Sequence, residues 1–251
     1  MKSVLRLFNI LFLVWGLLVF FVIMVMVLPF ILISFLIFKG KKATDFAFGF
    51  LNVWGFSLNS LMGYRYRIIN KEVVDKERPY IFVVNHSSYL DSVAIVRVIP
   101  QSFKPLGKIE MVKIPIFGII YKKLVVLIDR SSKESREASV AKLKEEIKNG
   151  QSILIFPEGT MNRGDQLLGD FYDGAFRIAI ETQTPILPLT LINTKELMPR
   201  NHPTHIKPGI ITCVFSKPFE VDGLQADDLA SLKSKIYQEM EQQLIHYKSI
   251  C

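Results

Sequence analysis

Residues 80–91 read Tyr80-Ile81-Phe82-Val83-Val84-Asn85-His86-Ser87-Ser88-Tyr89-Leu90-Asp91, an apolar run that ends in a polar turn. The run of β-formers predicts a buried strand, as found in the middle of a sheet. The turn presents the imidazole of His86 at the strand end, and Asp91 follows five residues later. Because Asp91 is able to hold that ring in one tautomer, the segment predicts a general base.

The spacing of His86 and Asp91 limits where each residue lies. Five positions correspond to about 140° around a helix, so the two side chains cannot meet if both stand on regular helical turns. We therefore expect His86 on the turn before a helix, Ser87 or Ser88 at its cap, and Asp91 in its first turns. The competing interpretation is a surface histidine, with Asp91 serving only the helix dipole.

A second polar turn follows the strand-like residues 152–156. It reads Pro157-Glu158-Gly159-Thr160, and Arg163 comes three residues later. Gly159 permits tight backbone geometry, Arg163 offers a planar fork for phosphate, and Glu158 can hold such a cation in place. The turn therefore predicts an anion site, although Pro-Glu-Gly also occurs in ordinary strand-to-loop turns.

Five sequence blocks follow one another along the chain: residues 85–91, Gly107-Lys108-Ile109-Glu110 with Pro115 and Gly118, Ile128-Asp129-Arg130, residues 156–160, and Pro185-Ile186-Leu187-Pro188-Leu189. In these blocks and their order, the chain resembles the glycerolipid acyltransferase family, in particular the bacterial 1-acyl-sn-glycerol-3-phosphate acyltransferases. The resemblance covers residues 80–219. The chain differs at two places, because Met161 stands where the family usually has Arg, and Asp173 where it often has Lys before Gly-Ala-Phe.

The resemblance implies direct acyl transfer from a thioester to the free hydroxyl of 1-acyl-glycerol-3-phosphate, which gives phosphatidic acid. It implies no metal or bound cofactor, and acyl-CoA or acyl-carrier protein is the donor substrate. His86 and Asp91 are the expected catalytic residues, and amides near Gly159 or Ser87 the expected oxyanion donors. The expected substrate phosphate-binding residues are Lys108, Arg130, Glu158, Gly159, Thr160 and Arg163.

Two other functions stay open from the sequence. In the first, the chain is an acyltransferase whose acceptor is a different lysolipid, such as an amino-acid-containing one. The changes at Met161 and Asp173 permit such an acceptor. Alternatively, the chain is a non-catalytic, membrane-docked lipid-binding protein, although it keeps both His86 and Asp91.

The amino-terminal residues 8–38 carry no charge, and lysines or arginines stand on both sides of them. A straight helix of that length measures about 46 Å, against about 30 Å for a hydrocarbon core. We expect Pro29 to break this run, giving either a span with a shorter piece or a hairpin within one leaflet. Because the apolar region of a cleaved signal peptide is shorter than this run, we do not expect these residues to be one. The aromatic residues 43–63 predict an interfacial helix, or else a helix packed on the core.

Charge and cysteine content indicate the partner and the compartment. A net charge of +8 and a pI near 9.4 favour an anionic partner, and scattered basic residues without a nucleic-acid motif favour lipid. Cys213 lies in an apolar strand and Cys251 is the last residue, so we expect no disulfide framework. These features predict an inner or cytoplasmic membrane location with the catalytic domain on the cytoplasmic side.

From residue 64 onward, strand and helix patterns alternate. Strands are predicted at 65–69, 80–84, 103–106, 124–128, 152–156, 186–192 and 210–215. Helices are predicted at 92–98, 134–148 and 227–247, and at 111–123 with an interruption at Pro115 and Gly118. The pattern predicts an α/β fold with a mixed, largely parallel sheet flanked by helices. Residues 1–63 then form a membrane anchor and interfacial helix, and residues 64–251 the acyltransferase domain.

Two segments of this domain have competing interpretations. The nearly all-apolar residues 108–123 fit a core helix, or a helix that touches the bilayer with its lysines at headgroup phosphates. His202 and His205 lack further ligands at metal spacing and predict a surface loop.

Overall fold

The computed structural model describes residues 2–248, apart from the side chains of residues 2–6 and 203, so Cys251 lies outside the described residues. The helices are α1 (Lys2–Ile37), α2 (Gly40–Leu61), α3 (Leu90–Val98), α4 (Phe117–Leu124), α5 (Lys133–Lys148), α6 (Gly174–Thr182), α7 (Thr194–Leu197) and α8 (Leu229–Lys248). The strands are β1 (Tyr64–Ile69), β2 (Ile81–Val84), β3 (Phe103–Lys108), β4 (Val126–Ile128), β5 (Ser152–Ile155), β6 (Ile186–Ile192) and β7 (Gly209–Phe215).

All seven strands join one sheet in the order β1-β7-β6-β2-β5-β3-β4. Neighbouring strands run parallel, except that β6 and β7 are antiparallel. Every residue of β2, β5 and β6 is buried, as their apolar composition requires. One face packs on α2 and α3 and the other on α5, α6 and α8. The predicted fold, a mixed and largely parallel sheet flanked by helices, is confirmed.

The turns singled out in the sequence follow four adjacent strands. β2, β5, β3 and β4 are parallel neighbours, so their carboxyl ends lie at one edge of the sheet. His86 follows β2, Glu158 follows β5, Lys108 ends β3, and Arg130 follows β4. In open α/β sheets, ligands bind in the crevice outside these carboxyl ends. The topology therefore gathers the predicted site residues at one edge.

The prediction that Pro29 breaks the amino-terminal run is wrong, because α1 continues through it to Ile37. The chain reverses at residues 38–39, and α2 returns antiparallel to α1. Aromatic pairs join the two helices along their length: Phe20 with Trp54, Phe30 with Phe50, and Phe38 with Phe46. Packing on both sides of Pro29 offsets the helix hydrogen bond that proline cannot make.

Helix α2 packs on the core with one face and exposes the other. Phe48 is buried and packs on Phe103 of the sheet, while Phe46, Val53 and Phe56 are exposed. The buried face agrees with a helix packed on the core, and an interfacial role of the exposed face stays a prediction.

The predicted interruption of residues 111–123 at Pro115 is confirmed, whereas Gly118 lies inside α4. A 3₁₀ turn covers Ile109–Lys113, and α4 begins only at Phe117. Pro115 has no N–H to continue a helix, and Ile116 takes a φ of 66° that helical residues never adopt. Gly118 then lets α4 approach the carbonyl of Val112, where a Cβ atom would lie only 2.0 Å away.

Candidate active site

The centre of the site is the contact between His86 and Asp91. His86 Nδ1 lies 2.9 Å from Asp91 Oδ2. The Asp91 side chain is fully buried, whereas the His86 side chain is 14% exposed. Because a carboxylate accepts, the Nδ1–H donates to it, and Nε2 then carries the ring lone pair. Nε2 makes no hydrogen bond to the described residues, so it is free to accept a proton from a bound hydroxyl.

Asp91 also organises the turn on which His86 lies. The same oxygen, Oδ2, accepts the backbone N–H groups of Ser87 at 2.7 Å and Ser88 at 2.8 Å. Asp91 therefore occupies these two amides, which favours the Gly159 turn, the other predicted source of oxyanion donors. The Ser88 hydroxyl accepts from the Leu90 amide and donates to the carbonyl of Met198.

Two further residues fix the position of His86. The Asn85 side chain donates to the carbonyl of Leu191 at 2.9 Å and accepts its N–H at 2.7 Å, which joins the end of β2 to β6. The ring of Phe156 stacks on the imidazole with centroids 4.1 Å apart and planes 20° apart. Sequence reasoning gave neither residue a role, although both stand directly after an apolar strand.

Glu158 binds the backbone rather than a cation. Its Oε1 accepts the N–H of His86 at 2.7 Å, and its Oε2 accepts the N–H of Gly169 at 2.8 Å. Burial raises the pKa of this carboxyl group. The expectation that Glu158 positions Arg163 is therefore wrong, because the two backbone donors satisfy its oxygens. Glu158 instead ties the turn after β5 to the turn after β2.

Gly159 allows a close approach that no other residue permits. Its φ is +67°, and a Cβ atom there would lie 2.8 Å from the ring of Tyr172 and 3.7 Å from Arg130 Nη1. The amides of Gly159 and Thr160 bond to the carbonyls of Phe156 and Glu158. Within the described residues, the amides of Glu158 and Met161 make no hydrogen bond, so both are free donors on this turn.

The loop after Thr160 is held against His86. The N–H of Asn162 donates to the carbonyl of His86 at 2.7 Å, and its side chain bonds to Gly164 and Gln166. Arg200 Nη1 donates to the carbonyl of Met161 at 3.3 Å. Arg200 lies far away in the sequence and was missed, since no local pattern marks it. Arg200 is half-buried, and it contacts the residue that stands where the family usually has Arg.

The predicted phosphate-binding cations lie around this edge but do not touch one another. Lys108, Arg130 and Arg163 are exposed, and none forms an ion pair within the described residues. Asp173, the second departure from the family, pairs with Lys233 at 2.6 Å. The site is therefore a His-Asp pair beside a turn, with unpaired positive charge on its rim.

Other histidines do not join the site. The rings of His202 and His205 stack 5.2 Å apart in an exposed loop, as predicted. Within residues 2–248, no three side chains of His, Cys, Asp or Glu are arranged to hold a metal ion.

Comparison with known proteins gives the family of this fold and site. A family model described as acyltransferase matches residues 65–192, which is 128 of the 251 residues. A 1-acyl-sn-glycerol-3-phosphate acyltransferase of Haemophilus influenzae is 30% identical over 166 residues, which cover 65% of this chain and 68% of that one. A chloroplastic enzyme of the same name from Brassica napus is 32% identical, over 65% and 47% of the two chains.

The chain thus spans about half the length of the plant relatives it matches. Its fold is similar to the crystal structure of the lysophosphatidic acid acyltransferase of Thermotoga maritima, with a TM-score of 0.83. That match covers 97% of this chain and 98% of the other at 23% identity, so it bears on the fold alone.

Proposed function

Because this chain belongs to the acyltransferase family, we propose that it transfers a fatty acyl group from a thioester to the free hydroxyl of 1-acyl-glycerol-3-phosphate. The product is phosphatidic acid. The observation that carries the proposal is the His86–Asp91 pair, which leaves a basic ring nitrogen at the open edge of the sheet. Acyl-CoA or acyl-carrier protein supplies the thioester.

In the proposed reaction, His86 Nε2 takes the proton of the acceptor hydroxyl as its oxygen attacks the thioester carbonyl. Buried Asp91 holds the ring and stabilises the imidazolium that forms. The thioester carbon–sulfur bond then breaks, and the imidazolium returns the proton to the leaving thiolate. The free amide of Met161 is the proposed donor to the oxyanion.

Acceptor recognition is proposed to rest on the cations at the rim. Lys108, Arg130 and Arg163 form no ion pair within the described residues, and Arg130 lies beside the Gly159 turn. We add Arg200, because it bonds to Met161 and Asn162 bonds to the carbonyl of His86. The guanidinium of Arg200 is therefore linked to the backbone of His86 by two hydrogen bonds and the peptide group between Met161 and Asn162.

Replacing Arg163 or Arg200 with alanine is expected to raise the KM for lysophosphatidate by about 10-fold and to leave the KM for the thioester unchanged. A hydrogen bond to a charged group contributes about 1.5–3 kcal/mol, and each variant removes such a contact to the phosphate. Steady-state kinetics with each substrate varied in turn measures both constants.

The matched control is Arg67→Ala, an exposed arginine of β1 at the far edge of the sheet. A monoacylglycerol acceptor, which lacks the phosphate, is expected to show no difference between the variants. If the thioester KM moves instead, the residue belongs to the donor site. If neither KM moves, the acceptor phosphate is bound elsewhere.

A panel of lysolipids tests the acceptor directly. The purified chain is incubated with radiolabelled acyl-CoA or acyl-carrier protein and with lysophosphatidate, lysophosphatidylglycerol or an amino-acid-containing lysolipid. We expect labelled phosphatidate to form at the highest rate. A preference for the amino-acid lysolipid would establish the alternative acceptor, and no product from any pair would leave the non-catalytic lipid-binding function.

We also propose that the chain lies on one face of a cytoplasmic membrane, with residues 1–63 as the attached part and 64–251 as the catalytic domain. Within the described residues, Leu7–Ile37 is one helix apolar and long enough to cross a membrane. However, α1 packs on the 3₁₀ turn Pro203–His205, on Phe117 through Phe20, and near Lys104 through Phe35. A helix that contacts the α/β part along its length favours lying in the interface over an upright span.

This arrangement predicts that both ends of α1 are on the same side of the membrane. Single cysteines at Ser3 and at Lys39, in a Cys251→Ser background, are expected to react with an impermeant maleimide from one side only. Buried Cys213 needs no replacement. A cysteine at exposed Lys217 marks the side of the catalytic domain. Labelling of Ser3 and Lys39 from opposite sides would establish a span.

A further inference from the structure

A basic cavity lies away from the candidate active site, between β3, α4 and α5. Its volume is about 340 Å³, and four lysines line it: Lys104, Lys122, Lys123 and Lys142. Lys104 precedes Lys108 by four residues on β3, which places it about 13 Å from the carboxyl edge of the sheet. The proposed reaction uses none of these lysines.

The cavity lining carries four lysines and one acidic residue, Glu146. Lys142 pairs with Glu145 at 2.8 Å and with Glu146 at 3.7 Å. Within the described residues, Lys104, Lys122 and Lys123 form no ion pair. Lys104 is half-buried, its Nζ donates to the carbonyl of Lys123 at 2.9 Å, and burial lowers its pKa. This excess of positive charge in a partly buried cavity favours an anionic ligand.

The cavity borders the apolar surface of the amino-terminal helix. The ring of Phe35 on α1 lies 5.8 Å from Lys104 Nζ and 5.9 Å from Lys123 Nζ. The next residues of α1, Leu36 and Ile37, are 83% and 65% exposed. On α4, exposed Ile119 comes just before Lys122 and Lys123. A ligand in the cavity therefore meets lysines on one side and an exposed apolar surface on the other.

We propose that this lysine cavity binds the phosphate of an anionic phospholipid, whose acyl chains lie against the end of α1. A phospholipid combines the two chemistries that the cavity and its border offer, and lysines near a membrane surface attract anionic headgroups. The site holds lipid as a binding partner and not as a substrate. The inference does not depend on acyl transfer, since none of its residues lies in the proposed reaction site.

The test measures binding of radiolabelled phosphatidylglycerol to the immobilised full-length chain in neutral detergent. We expect the triple variant K104Q/K122Q/K123Q to bind at least about 10-fold more weakly than the unchanged chain. The matched control K148Q/K217Q/K235Q removes three exposed lysines elsewhere and is expected to bind within about 2-fold of it. Turnover and thermal unfolding in neutral micelles are expected to be the same for all three proteins, which separates a lost lipid site from a lost fold or a failed acyltransferase.

Several results would overturn the inference. Equal binding by the two triple variants would show that the overall positive charge of the protein, and not this cavity, attracts the lipid. Equal binding of phosphatidylcholine would remove the requirement for an anion. Displacement of phosphatidylglycerol by coenzyme A or glycerol 3-phosphate would assign the cavity to soluble phosphates. A selective loss of turnover with acyl-carrier protein, with lipid binding intact, would assign it to that acidic donor.

Discussion

Replacing His86 with alanine is expected to lower kcat by about 10²- to 10⁴-fold, the usual contribution of a general base in reach of its proton. Nε2 is the lone-pair nitrogen of the ring, because Nδ1 donates to Asp91. Without it, the acceptor hydroxyl must lose its proton to water as the thioester is attacked. Initial rates with lysophosphatidate and acyl-CoA at saturating concentrations measure the loss.

The fold is expected to survive this substitution. The bonds from Asp91 to the amides of Ser87 and Ser88 remain, as does the bond from Glu158 to the amide of residue 86. Thermal unfolding and membrane association should therefore match those of the unchanged chain. His202→Ala, which alters an exposed histidine outside the site, is the matched control and should keep full turnover. Near-normal turnover of the His86 variant would reject the mechanism.

Much of the site was predictable because it depends on local patterns. Apolar runs that end in polar turns marked β2 and β5, and parallel strands bring their carboxyl ends to one edge. The sequence therefore predicted a polar turn after each strand, and the pairing of β2 with β5 shows that the two turns are neighbours. A contact of His86 with Asp91 was one of two interpretations that their local spacing of five residues allowed.

The partners of these residues were not predictable in the same way. Glu158 bonds to an amide 72 positions away, and Asn85 bonds to Leu191 across 106 positions. Side-chain bonds to backbone leave no periodicity in the sequence, so the carboxylate of Glu158 was paired with the nearest cation instead. The approach of Arg200 to Met161 is a contact of the same kind.

In the amino-terminal region, side-chain packing outweighs the low helix propensity of proline. Proline disfavours a helix interior by about 3 kcal/mol, which makes a break at Pro29 a reasonable expectation. Nevertheless, Met24, Val27 and Ile31 are all buried around it, and α2 packs alongside. Buried side chains of this size each contribute about 1.5–3 kcal/mol, so two of them are enough to offset the proline. The reversal appears instead at residues 38–39, where the apolar run ends.

Changing Asp91 to asparagine is expected to lower kcat by about 10²-fold or more, with little change in the KM of either substrate. The amide oxygen can still accept from the ring and from Ser87 and Ser88, so the turn keeps its shape. What is lost is the negative charge that stabilises the imidazolium, which forms only as the proton moves. The NH₂ group of the introduced asparagine takes the place of Asp91 Oδ1, which is buried without a hydrogen-bond partner. Some loss of stability is therefore also expected.

The double variant His86→Ala with Asp91→Asn separates a catalytic role of Asp91 from a structural one. If Asp91 acts through the imidazolium, then removing the ring removes the reason for the charge. The double variant should therefore be no slower than His86→Ala alone, because residues that act as one unit have non-additive effects. If instead the two losses multiply, Asp91 contributes independently of His86, by shaping the turn through the amides of Ser87 and Ser88. His86 would then remain the base, and the negative charge of Asp91 would support another part of the site.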